Sequence, residues 1–102
     1  MTNPLLKGLR PIHPGEMLRE DILPAVGRPK TEIARLLGIS RQTLYDILNE
    51  KQPVTPAMAL RFAKMFGGSA ESWVNMQRNY DLKIAEAELG NLLDDIPHLE
   101  AA

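Results

Sequence analysis

The chain of 102 residues contains no cysteine, and this absence excludes disulfide bonds and thiolate metal sites. No apolar run approaches the length of about 18 residues that a membrane-spanning helix needs. The first residues also have no long apolar segment of the kind found in secretory signal peptides. We therefore expect a single cytoplasmic domain with no membrane partner, no cofactor and no small-molecule ligand.

A strong charge of either sign is also lacking, because 12 Lys and Arg side chains face 13 Asp and Glu side chains. The distribution is nevertheless uneven. Residues 28–51 carry five positive and three negative side chains, whereas residues 81–102 carry one positive and six negative. This pattern predicts a mildly basic middle and an acidic tail. One copy of such a middle could neutralise few phosphates, so nucleic-acid binding would require a dimer.

No segment has the alternating apolar pattern of a strand, and the apolar residues recur every three or four positions, which predicts an all-α fold. We expect an arm over residues 1–14, a helical domain over 15–95 and a tail over 96–102. Five helices are predicted. The first begins at Glu16 and ends at Pro24, and the others cover about 30–37, 41–49, 56–66 and 70–92.

Residues 30–49 are predicted to form a helix-turn-helix. Ala34 lies where the two helices would approach closely, Gly38 lies where the first helix must stop, and Ser40 can cap the second. A plain helical hairpin is the alternative, but it needs neither this spacing nor an exposed Arg-Gln-Thr opening on the second helix. A recognition helix that enters the major groove needs both. The pattern therefore favours DNA binding.

The second helix of this motif has side chains suited to base edges. Gln42 can pair with adenine through two hydrogen bonds, Arg41 can contact guanine or a phosphate, and Thr43 can contact thymine. Asp46 is expected to be a solvated surface acid. The residues predicted to contact DNA are Lys30, Thr31, Ser40, Arg41, Gln42, Thr43, Tyr45, Asn49 and Lys51.

The two histidines, His13 and His98, are far apart in the chain and have no clustered partner. We expect His13 to shape the beginning of the first helix rather than to bind a metal. No nucleophile–base pair, set of metal ligands or phosphate-binding loop is found in the sequence. The chain is therefore predicted not to be an enzyme.

Two segments outside the helix-turn-helix narrow the interpretation. The two segments are Pro11-Ile12-His13-Pro14-Gly15-Glu16-Met17-Leu18 and Trp73-Val74-Asn75-Met76-Gln77. Together with the helix-turn-helix they resemble the HigA antitoxin family, of the xenobiotic-response-element (Cro/C1-like) superfamily. The resemblance covers roughly residues 11–82.

The resemblance implies a five-helix, lambda repressor-like domain that acts as a homodimer. Such a protein would bind double-stranded operator DNA in its own promoter and neutralise a HigB-type toxin, an mRNA endonuclease. One departure is visible, since Pro29 stands where family members commonly have Ser or Thr before the second helix. A proline supplies no capping hydroxyl for a phosphate contact there.

Two alternatives stay open. A regulator of the same superfamily, such as a phage-type repressor, would bind DNA without a toxin partner, and an adaptor would bind only protein. The apolar face of the last helix is expected to be mostly core, with part of it forming a dimer seam. The residues assigned to that seam are Trp73, Met76, Gln77, Tyr80 and Leu82.

Overall fold

The computed structural model describes residues 10–101, and throughout this range the regular elements are helices. This confirms the predicted all-α fold of five helices. Most of the predicted arm over 1–14 lies outside the described residues. None of the helices in residues 10–101 is long and apolar enough to cross a membrane. The helices are α1 (14–26), α2 (Lys30–Leu37), α3 (Arg41–Leu48), α4 (Pro56–Phe66) and α5 (Ala70–Leu89), and a short 3-10 helix (Gly90–Asp95) follows.

One apolar core joins all five helices. Phe62 of α4 is fully buried at its centre, and the Trp73 ring of α5 lies 5.1 Å from the Phe62 ring, measured between centroids. The rings are tilted to one another, an arrangement that aromatic pairs favour. The other large, fully buried apolar side chains come from α1, α2 and α3 and are Leu18, Ile33, Leu44 and Ile47.

The first helix begins with a cap made by a buried histidine. The His13 Nδ1 atom accepts a hydrogen bond of 2.9 Å from the Gly15 backbone N–H, and the ring meets the Tyr80 ring edge-on. Burial lowers the pKa of His13, although Glu50 and Asp81 oppose this effect. The neutral ring is the form in which Nδ1 can accept a hydrogen bond. The expectation that His13 shapes the beginning of α1 is confirmed.

The prediction that α1 ends at Pro24 was wrong. The helix consists of Pro14–Met17, a π-helical turn over Leu18–Ile22 and a final segment Leu23–Val26. In the π turn the Leu23 N–H bonds to the Leu18 carbonyl, five residues back. This wider turn relieves the steric conflict of a proline within a helix, and the N–H that Pro24 lacks is not required. The helix ends instead at Gly27, whose φ of 71° is left-handed.

Candidate nucleic-acid interface

The turn between α2 and α3 has the geometry that the sequence predicts. Gly38 ends α2 at a φ of 75°, and the Ile39 N–H reaches back 3.1 Å to the Ala34 carbonyl. Ala34 is buried, as close contact between the two helices requires. Ser40 then caps α3, because its Oγ atom accepts a hydrogen bond of 3.0 Å from the Thr43 N–H. Residues 30–49 therefore form a helix-turn-helix.

The third helix divides sharply into a buried face and an exposed face. Leu44, Ile47 and Leu48 are at most 2 % exposed and anchor the helix in the core. Arg41 and Gln42, in its first turn, are exposed. Thr43 is half-buried, and its Oγ1 atom accepts a hydrogen bond of 2.8 Å from the Ser40 hydroxyl. The first turn of α3 therefore exposes polar side chains, while the opposite face of the helix is packed in the core.

The beginning of α2 lies beside the middle of α3. Lys30 and Thr31 are exposed in the first turn of α2, and the Lys30 ammonium lies 5.9 Å from the centre of the Tyr45 ring. Pro29 makes no side-chain cap, in keeping with the departure from the family pattern. A phosphate at this position could be held by backbone N–H groups and by the Lys30 and Thr31 side chains.

The end of α3 completes this surface. Asn49 and Lys51 are both exposed, and Glu50 between them adopts a left-handed φ of 62°. The Glu50 carboxylate lies 3.4 Å from the Arg19 guanidinium of α1. This ion pair engages the negative charge of Glu50 beside two residues predicted to contact DNA.

Two arginines from outside the motif hold its helices, and the sequence analysis missed both. The Arg19 guanidinium donates a hydrogen bond of 2.6 Å to the Leu48 carbonyl at the end of α3. Arg61 of α4 donates one of 2.5 Å to the Leu37 carbonyl at the end of α2. The last carbonyls of a helix have no partner within it, and cations are favourable there. No local pattern could reveal these bonds, because each spans more than 20 residues of sequence.

The third helix, α3, also contains a side-chain pair that the sequence analysis does not predict. The Gln42 Nε2 atom donates a hydrogen bond of 2.8 Å to the Asp46 Oδ1 atom. Asp46 is half-buried rather than freely solvated, which corrects the expectation of a plain surface acid. The spacing of four residues on a helix is the signal that could have found this pair.

Residues 18–73 match the helix-turn-helix family of proteins. The virulence-associated protein I of Dichelobacter nodosus is 42% identical over 84% of this chain and 80% of its own length. The chain belongs to the helix-turn-helix family, among the HigA-like antitoxins. The antitoxin HigA of Pseudomonas aeruginosa, solved with the higBA promoter, superposes with a TM-score of 0.83, at 35% identity, over 90% of this chain and all of its own. The antitoxin GraA in complex with its operator superposes with a TM-score of 0.84, at 36% identity, over 99% of both chains.

The five residues of α5 that were predicted to form a dimer seam fall into a buried group and a more exposed group in this HigA-like protein. Trp73 and Gln77 are 4 and 6 % exposed within the protomer, so neither presents a surface to a second copy. Gln77 is engaged internally, since its Oε1 atom accepts a hydrogen bond of 2.8 Å from the Val54 N–H. Met76 and Tyr80 are half-buried and Leu82 is 54% exposed. These three residues are the ones that remain available to a seam.

Proposed function

We propose that this protein is the antitoxin of a toxin–antitoxin pair. In this proposal it binds an operator in its own promoter as a dimer, represses its operon and neutralises a HigB-type mRNA endonuclease by direct contact. The observation that carries the DNA-binding part is the division of α3. Its apolar face is fully buried, and its first turn holds Arg41 and Gln42 in the open. A helix placed in this way can enter a major groove without losing its packing.

The proposed contacts follow from position. Arg41, Gln42 and Thr43 lie in the first turn of α3 and would read base edges. The residues beside this turn would contact phosphates and fix the orientation of the protein on the duplex, without reading sequence. These are Lys30, Thr31, Ser40, Tyr45, Asn49 and Lys51.

A dimer is part of the proposal for an electrostatic reason. Residues 28–51 carry an excess of only two positive charges, so one copy neutralises few phosphates. Two copies that meet through Met76, Tyr80 and Leu82 would double these contacts. Two recognition helices about 34 Å apart would then read half-sites separated by one helical turn.

The operator is tested by a gel shift with the DNA upstream of the gene. We expect Arg41→Ala and Gln42→Ala each to weaken binding about tenfold or more, because each removes a contact to a base edge. Arg78→Ala is the matched control, since it removes the same charge from an exposed position on α5. Equal binding by all three variants and the original protein would exclude α3 as the reading helix.

The toxin is tested by co-expression of this chain with the product of the neighbouring gene. The proposal expects the two proteins to purify together, and the growth arrest caused by the neighbour alone to be relieved. The family relationship supports this part, through relatives such as the HigA antitoxin described above. A specific operator complex without any co-purifying toxin would favour a free-standing regulator instead.

A further inference from the structure

The recognition helix presents Gln42 with one of its hydrogen-bonding groups already occupied. We propose that Asp46 is a positioning residue that fixes the Gln42 amide for adenine and against guanine. This inference rests on the proposed operator binding. It starts from the 2.8 Å hydrogen bond between Gln42 Nε2 and Asp46 Oδ1.

A free glutamine amide has no fixed orientation. Rotation about its last torsion is broad and roughly two-fold, so the oxygen and the nitrogen exchange places at little cost. The carboxylate of Asp46 only accepts hydrogen bonds, so the atom of Gln42 that faces it must be the nitrogen. The pair therefore orients the amide before any DNA arrives.

The orientation determines which hydrogen-bonding groups of the Gln42 amide remain free to contact a base. Asp46 accepts a hydrogen bond from one of the two N–H groups of Nε2. Because its negative carboxylate repels Oε1, the N–H that binds Asp46 is the one that points away from Oε1. The second N–H then lies beside Oε1. Adenine presents one acceptor, N7, next to one donor, the N6 amine, and these match an N–H beside a carbonyl oxygen.

Guanine does not match the oriented amide. Its major-groove edge presents two acceptors, N7 and O6, and a glutamine satisfies both only with two free N–H groups. With one N–H held by Asp46, the Oε1 atom would face a guanine acceptor without a hydrogen between them. Asp46 would thus raise selectivity through the amide, without itself contacting a base.

The position of Asp46 gives a second reason to look beyond a structural role. It lies one turn after Gln42 on the helix that faces the phosphates, where a negative charge opposes DNA binding. A single pair at this spacing stabilises a helix only weakly. A benefit in base selectivity would offset an unfavourable charge at this place.

The test measures operator affinity by fluorescence anisotropy for the original protein and for four variants: Gln42→Ala, Asp46→Ala, Asp46→Asn and the double variant Gln42→Ala/Asp46→Ala. The probes are the operator duplex and a set in which each half-site adenine is replaced by guanine. Helix content measured by circular dichroism confirms that every variant is folded.

The original protein should prefer adenine about tenfold or more at one position of each half-site, and Gln42→Ala should abolish this preference. Asp46→Ala should reduce the preference at that position several-fold and leave the other positions unchanged. Asp46→Asn should also reduce the preference, because the asparagine amide can either accept from Nε2 or donate to Oε1 and so no longer fixes the orientation of Gln42. The double variant should match Gln42→Ala.

The inference is overturned if Asp46→Ala keeps the adenine preference while its affinity for every duplex rises by the same factor. Asp46 would then be only a repulsive surface charge. It is also overturned if no position responds to Gln42→Ala. Failure of the proposed function looks different, because the original protein would then bind no operator at all, and the inference would fall with it.

Discussion

The two halves of α5 differ in how they pack against the rest of the protomer. The first half buries Trp73 against Phe62 and uses Gln77 to bind the Val54 backbone. In the second half, after Tyr80, Ile84 alone is half-buried and every other described residue is exposed. The helix is continuous across this boundary. A segment can therefore be helical without packing against the rest of the protomer.

The residues after Tyr80, in the second half of α5 and in the segment that follows it, nevertheless include many large apolar side chains. The radius of gyration is 17.0 Å, whereas a compact domain of this length has about 13 Å, so the molecule is elongated. The fold of the protomer therefore rests on residues up to and including Tyr80, whose ring packs against His13. The exposed apolar residues after it are Leu82, Leu89, Leu92, Leu93, Ile96 and Leu99.

The largest expected effect is at Gly15 of α1, whose backbone lies close to the backbone of α3. A Cβ atom on Gly15 would lie 1.8 Å from the Ile47 carbonyl oxygen, so Gly15→Ala should destabilise the protein by about 3 kcal/mol. Urea unfolding measures this. Gly27→Ala is the control, because it adds only left-handed strain of about 1 kcal/mol, with no atom within 4 Å. Equal losses would mean that α1 and α3 separate easily.

The two halves of α5 can be compared directly with one substitution in each. Gln77→Ala removes the acceptor of the buried Val54 N–H and should lower the free energy of unfolding by about 2 kcal/mol. Glu86→Ala, in the exposed half, should change it by less than about 0.5 kcal/mol. Thermal or urea unfolding checks both variants. A large effect of Glu86→Ala would show that the second half contributes to the fold.

The packed region should also respond to pH through His13. Its pKa is lower in the folded protein than in the unfolded chain, so protonation favours unfolding. Stability should be complete above the unfolded pKa of about 6.5 and decline as the pH falls below it. His13→Asn keeps a capping acceptor without this titration. Urea midpoints at pH 7.5 and 5.5 should therefore differ more for the original protein than for His13→Asn, and equal differences would contradict this.

The smallest effect is expected from removing the segment after α5. Deletion of residues 90–102 takes away no buried residue among those described, so the free energy of unfolding should change by less than about 0.5 kcal/mol. Amide hydrogen exchange should show protection over residues 73–80 and much faster exchange over 85–95. Strong protection in the second range would reveal packing that the protomer alone does not provide.

Much of the architecture could be predicted because its signals are local. Ser40 caps α3 and Gly38 ends α2, both as the sequence predicts. The course of α1 through Pro24 could not be predicted, because the π turn that accommodates the proline forms within a packed helix. The roles of Arg19 and Arg61 were equally hidden, since their partners are carbonyl groups of distant residues.

The all-α fold and the helix-turn-helix follow from local signals in the sequence, because caps, stops and apolar spacing act over a few residues. Contacts between helices, which only the tertiary structure shows, determine which apolar residues are buried in the core and which are exposed to solvent. Trp73 and Leu82 look alike as apolar positions of one helix, but one meets Phe62 and the other meets solvent. That difference depends on where α4 ends and α5 extends beyond it, and helical periodicity carries no information about neighbouring helices.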